Sequence, residues 1–316
     1  MNFEKGSHLR DQLNLHFIVF IWGFTAILGR YISVDAVSLV FNRTALTTIA
    51  IAAFMVWKKR PFKASWREIG FMALCGILIA THWITFFGAI KIANISLTLA
   101  GISTGALWSA LLRPILDKGK IDILELILGA IVVFGVVVIF YETPDAASMK
   151  IYEFMGLRIT NYQLGVLIAL ISASLSASFS ILNKQLVARY PLPVQVTFWE
   201  LGFAFIGVGL YDLLFGSHNP MSLWMTTTND WIYLAILALL CTAYPFIQSV
   251  ELLKRMSPFS VMLAINLEPV YGIGLAALLF GAQENMTPTF YFGVIVILGT
   301  VIANGIIKAQ KRKSLS

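Results

Sequence analysis

Ten apolar stretches of near-membrane length follow one another along the chain, at about 12–32, 35–57, 68–91, 94–114, 121–141, 162–186, 192–214, 230–253, 257–281 and 288–308. Polar breaks between them are short. A helix needs about 20 apolar residues to cross about 30 Å of hydrocarbon. Only helices and closed barrels satisfy their own backbone in lipid, and runs this long predict helices. The pattern therefore predicts an all-α polytopic membrane protein with ten transmembrane helices. The longest polar connection, 142–161, falls at the middle of the chain and reads as a linker between two halves.

Composition agrees with that pattern. The 316 residues are 58% hydrophobic and 12% charged, whereas a soluble domain carries about 25% charged residues. Mean hydropathy is +0.81. The formal net charge of +7 does not point to nucleic acid, because the basic residues sit in short connections and form no extended stripe. With ten spans, 18 of the 23 lysines and arginines fall on the side of the two termini. Only Arg30, Lys91, Lys150 and Arg158 fall opposite, and Arg43 lies within a span. The positive-inside tendency then places both termini in the cytoplasm, in the cell (inner) membrane, and the 142–161 linker outside. Lys5 and Arg10 before an apolar run resemble a signal sequence, but no small-x-small cleavage site follows, so a retained first span is expected.

The same order of features recurs in spans one to five and six to ten. Spans three and eight both lead through a lysine and a polar turn into a small-residue span, Lys91 to Ser96 and Lys254 to Ser260. Spans two and seven align without gaps, VSLVFNR ending at Arg43 against VQVTFWE ending at Glu200. Five spans per copy means that the second copy enters from the other side, an inverted repeat of the transporter kind. The expected organisation is a first repeat at 1–141, the linker at 142–161, a second repeat at 162–308 and a basic tail at 309–316.

With these features the chain resembles the EamA-like family of the drug/metabolite transporter superfamily. The resemblance rests on the two five-helix repeats, Trp22-Gly23 in span one, and Leu267-Glu268-Pro269 followed by Gly281-Ala282-Gln283-Glu284 before the last span. It implies a secondary carrier of a small organic metabolite, an amino acid or drug-like solute, with its pathway between the repeats. It also implies export and coupling to protons. The chain departs from the pattern in its first half, with Thr104-Gly105-Ala106 where the second half has Leu267-Glu268-Pro269, and with Pro114 coming later. Asp117-Lys118-Gly119-Lys120 matches the acidic turn only loosely.

Ionisable groups inside spans need a partner or a wet cavity. Arg43, Glu200 and Glu268 are the deepest charges, with His82 beside them in the order of candidates. Arg43 and Glu200 have two readings, a buried pair between repeats or contact with solute. Their spans run oppositely, which separates their Cα atoms by roughly 9 Å in depth at 1.5 Å per residue. Glu268 either shapes the helix break at Pro269 or serves as a gating or proton-coupling group. Cys241, Tyr244, Gln248 and Glu251 share one helical face in span eight. The serine-rich run at 172–180 reads first as close helix packing. The expected pathway residues are Trp22, Asn42, Arg43, His82, Trp83, Ser103, Trp199, Glu200, Tyr244, Gln248, Asn266 and Tyr271, with Glu268 and Pro269 as the gating or coupling element.

Two other classes compete. Gly101-Ile102-Ser103-Thr104-Gly105 fits the G-x-S-x-G nucleophile pattern, so an intramembrane serine hydrolase using Ser103 and His82 is one alternative. A small-residue packing stripe inside an apolar helix is the simpler reading of the same residues. A non-transporting sensor or scaffold is the other alternative. Cys75 and Cys241 suggest neither a disulfide framework nor a metal site, no nucleotide-binding signature is present, and no cofactor is expected. The expected partners are a small-molecule solute, protons as coupling ion and the lipid bilayer.

Overall fold

The computed structural model describes residues 2–117, 123–141, 149–154, 156–189, 192–216, 223–225, 227–252, 255, 264–265, 267–284 and 286–313. Six of its helices are long and apolar enough to cross a membrane. They begin with α1 (Asn2–Tyr31), α2 (Ala36–Trp57) and α3 (Trp66–Ile92). Next come α4 (Ile95–Ile102) and α5 (Gly105–Leu116), a pair bent by 43°. After α6 (Ile123–Phe140), the long helices α7 (Asn161–Arg189) and α8 (Pro193–Phe215) follow. The sixth long span is composite: α9 (Thr228–Ala235), a π-helical segment (Ile236–Ala243) and α10 (Tyr244–Leu252). The described chain ends with α11 (Glu268–Phe280) and α12 (Pro288–Lys313). Each apolar run read from the sequence thus contains a helix, although the apolar stretches of α6, α11 and α12 are shorter than the long six.

Helix α3 is the hub. It packs against α7, α8 and α2, and also meets α1 and α4. Its closest approach is to α8 at Gly76, where an added Cβ would stand 2.3 Å from the Glu200 carbonyl oxygen. Only a residue without a side chain lets the two backbones meet there. A second close approach joins α6 and α12, where a Cβ on Gly135 would lie 3.0 Å from Gly293 O, and one on Gly293 3.1 Å from Gly135 O. In lipid such small-residue contacts replace the hydrophobic drive that is missing between helices.

Two local departures from the sequence expectation have physical causes. The 142–161 connection holds a hairpin of two strands, β1 (Ile151–Phe154) and β2 (Leu157–Thr160), antiparallel with Ile151 opposite Thr160. Gly156 turns it with φ 81°, and the β-branched and aromatic residues on either side favour strands. The Gly101–Gly105 stretch is not inside one helix, as expected. It is the break itself: α4 ends at Ile102, Ser103 is its C-cap, and α5 begins at Gly105.

The first turn of α4 is held from the other end of the chain. Buried Glu284 accepts from Ile95 N at 2.9 Å, Ser96 N at 2.9 Å and Ser96 Oγ at 2.8 Å. Asn94 Oδ1 accepts from Leu97 N at 2.9 Å. A helix start has unsatisfied donors and a positive dipole end, so a carboxylate there is doubly favourable. Glu284→Ala should therefore cost about 2 kcal/mol of stability, read as a lowered unfolding temperature in detergent, whereas Glu284→Gln should retain part of it. Unchanged unfolding of the alanine variant would show that the cap is not stabilising.

Candidate functional site

The candidate site is built around Arg43, which is 1% exposed in the middle of α2. Its Nε donates to Thr242 Oγ1 at 2.8 Å. Its guanidinium lies over the Trp83 ring at 3.9 Å from the centroid and is 5.5 Å from that of Phe87. Its Nη1 is buried and makes no hydrogen bond. Thr242 belongs to the π-helical segment and donates in turn to Leu237 O at 2.7 Å, five residues back. Thr47, one turn after Arg43, donates to Ala238 O at 3.2 Å. Widening the helix frees carbonyls, and the two threonines answer for them.

Further aromatic rings pack beyond Trp83. Phe246 of α10 stands edge-on to Trp83 at 5.5 Å and to Trp22 at 6.4 Å. Tyr271 of α11 meets Phe20 at 5.6 Å, and its Cβ lies against Gly23. Glu268 is half-buried at the first position of α11, with buried Pro269 behind it. It lies within electrostatic reach of Arg43. Proline in a first turn loses no helix bond, and the carboxylate sits at the favourable end of the dipole. Trp22, Arg43, Trp83, Tyr271, Glu268 and Pro269 are thus brought to one region between α1, α2, α3, α10 and α11.

Other expected residues lie elsewhere. Glu200 does not pair with Arg43; its carboxyl takes Asn183 Nδ2 at 3.4 Å and meets the Cys75 thiol, between α3, α7 and α8. Asn42 donates to the carbonyls of Ser38 and Leu223 and so ties α2 to the segment before α9. Trp199 donates to Phe62 O at 3.1 Å, anchoring α8 to the α2–α3 connection. The His82 ring Nδ1 stands 2.8 Å from Ser172 Oγ and 2.9 Å from Ser172 O. Ser103 donates to Ala100 O at 2.6 Å in its own helix. The serine–histidine contact that a hydrolase requires is therefore not made by Ser103 and His82. Asn266 lies outside the described residues.

The polar face of the eighth span has a partner that sequence reasoning missed. Asn14 of α1 donates to Gln248 Oε1 at 3.1 Å and accepts from Tyr244 OH at 3.2 Å. Further along, Glu251 and Asp11 both hold Arg255, at 2.8 and 2.9 Å. Thr242 and Phe246 were also missed, because the π-helical turn shifts the register on which the face was read. Among the described residues, no three histidines, cysteines or carboxylates gather to hold a metal ion.

A largely helical chain with six membrane-length helices and a charged, aromatic-walled site inside them defines a multi-pass membrane protein. The sequence model of the EamA-like transporter family matches it twice, over residues 13–141 and 163–305. The chain belongs to the EamA-like transporter family, and so to the drug/metabolite transporters. A relative from Clostridium kluyveri (strain ATCC 8527 / DSM 555 / NBRC 12016 / NCIMB 10680 / K1), described as an uncharacterized transporter, is 23% identical over 249 residues, 78% of this chain and 75% of its own. A crystal structure aligns with a TM-score of 0.63 at 16% identity, over 94% of this chain and 96% of that one, a likeness of fold alone.

Thr242→Val removes the partner of Arg43 Nε without changing shape. Leaving a buried charged donor unpaired costs about 1–3 kcal/mol, so this variant should unfold at lower temperature than Thr48→Val, whose hydroxyl makes no bond. Equal unfolding temperatures would show that the Arg43–Thr242 bond contributes nothing.

Proposed function

We propose that the protein is a secondary carrier that moves a small organic solute, an amino acid or drug-like molecule, by alternating access. The observation that carries this reading is Arg43: a buried guanidinium with a free Nη1, stacked on Trp83. Intramembrane charges of this kind mark solute pathways. The solute presents an acceptor to Nη1 and an apolar or aromatic part to Trp22, Trp83, Phe246 and Tyr271. Export is the direction the family resemblance favours, with Glu268 and Pro269 as the gating or proton-coupling element.

Ten spans in two inverted five-helix repeats, 1–141 and 162–308, supply the frame for such motion. The double match of the family model supports this division. So do the matched starts of α5 at Gly105 and α11 at Glu268, positions that align between the halves. The positive-inside count supports cytoplasmic termini in the cell inner membrane.

A thermal-shift screen of amino acids, nucleosides, sugars and cations on purified protein identifies ligands for flux measurements in proteoliposomes. Arg43→Gln should weaken binding of the hits by about tenfold or more, as for loss of a charged hydrogen bond. Glu268→Gln should abolish pH-driven uptake while leaving counterflow exchange. Unchanged affinity in the first variant would remove Arg43 from the solute site. Unchanged pH-driven transport in the second would end the proton-coupling role.

A further inference from the structure

Glu200 is fully buried, and its carboxylate meets the Cys75 thiol and one amide donor. Oε2 receives the Asn183 amide at 3.4 Å, while Oε1 makes no hydrogen bond. Two further buried oxygens, on the same helix as Glu200 and on the helix of its amide partner, are equally unused. Asn183 Oδ1, on a side chain 6% exposed, has no partner. Thr197 Oγ1, on a residue at 0% exposure, has none either. Thr197 precedes Glu200 by three positions on α8, so the two side chains are neighbours on one helix face. Asn183 comes from α7, and Gly76 of α3 brings a third helix against the Glu200 backbone. Unsatisfied buried polar atoms are expensive. One shared occupant would answer for the orphaned carboxylate oxygen and for the two orphaned oxygens on its own helix and its partner's.

We propose that Glu200 Oε1, Asn183 Oδ1 and Thr197 Oγ1 form a binding site for a monovalent cation, sodium. All three donors are hard oxygens, the ligand type of hard cations. The site brings one negative charge, which a monovalent ion balances and a divalent ion exceeds; calcium also takes six to eight oxygens. A proton answers less well. On Oε1 it becomes a donor that one acceptor can satisfy, leaving the third oxygen unused. Arg43, buried on α2, is bound to Thr242 and does not pair with Glu200. The site draws on α3, α7 and α8, whereas the solute site draws on α1, α2, α3, α10 and α11. Only α3 is shared. A bound ion therefore biases how α3 sits between α7 and α8, a route by which cation binding reaches Trp83 and Phe87 on the same helix.

The inference rests on the carrier reading for its purpose, but sodium binding is measured without transport. Purified protein in detergent is titrated with sodium chloride against choline chloride at constant ionic strength and pH, with the thermal shift and bound radioactive sodium as readouts. Saturable sodium binding is expected, with choline inert. Glu200→Gln should abolish it, and Thr197→Val, which keeps shape and removes one oxygen, should weaken it about tenfold or more. Arg43→Gln should leave sodium affinity unchanged while losing solute. No sodium binding by the folded protein overturns the site, as does sodium binding that survives in both Glu200→Gln and Thr197→Val. A stabilisation that follows pH instead of sodium and disappears in Glu200→Gln makes the occupant a proton and overturns it too. Sodium binding with no solute flux would leave the site standing and sink the carrier reading.

Discussion

A guanidinium 1% exposed among apolar helices is the constraint on which the centre of this protein depends. Removing such a charge from water costs several kcal/mol after relaxation, and in lipid no solvent repairs a missing contact. The structure answers with three kinds of partner. Thr242 takes Nε. Trp83 and Phe87 present their negative ring faces. Glu268 supplies opposite charge at a distance. Each answer imposes something on its own element. Thr242 must also satisfy Leu237, which requires the π-helical turn. Trp83 fixes the rotation of α3. Glu268 needs a helix to begin where it stands.

Glu268 and Pro269 mark a difference between the two stretches that the family model matches. A helix begins in each, α5 at Gly105 and α11 at Glu268. They do not share the charge. Of the two helices, only α11 opens with a carboxylate. Glu284 breaks the likeness in another way, since its carboxylate crosses from the second half to cap α4 in the first. The bent pair α4 and α5 is therefore anchored at its start and interrupted at Ser103. The capped turn keeps its place, and the 43° bend of the pair falls at the break after it.

The positions of the helices were legible in the apolar runs because burial in lipid writes itself into composition along the whole span. Arg43 and Glu268 stood out for the opposite reason: a charge in such a run has to be explained. What was not legible depends on contacts between distant segments. Nothing near Thr242 announces a π-helical turn, since the turn serves a residue some 199 positions earlier in the chain. Asn14 looks like an ordinary polar residue at the start of a span until α10 places Tyr244 and Gln248 against it. Trp199 read as a cavity wall because depth in a span was the available measure, whereas its indole is held by Phe62 O in a connection. The aligned Arg43 and Glu200 invited a pairing that the helix packing does not make.

That failed pairing is informative. If Arg43 and Glu200 neutralised one another, the two charges would form one dry ion pair. Instead each keeps an unused atom, Nη1 on one and Oε1 on the other. The two sit among different helices and different neighbours, aromatic rings for the cation and amide, hydroxyl and thiol for the anion. An aromatic wall suits an organic solute, while bare oxygens suit a small cation. Two carboxylates, Glu268 and Glu200, thus divide along the same line: one begins a helix within electrostatic reach of the guanidinium, the other is sealed between three helices. Separate environments allow separate ligands, and α3, which contributes Trp83 to one and Gly76 and Cys75 to the other, is the element through which the two can be linked.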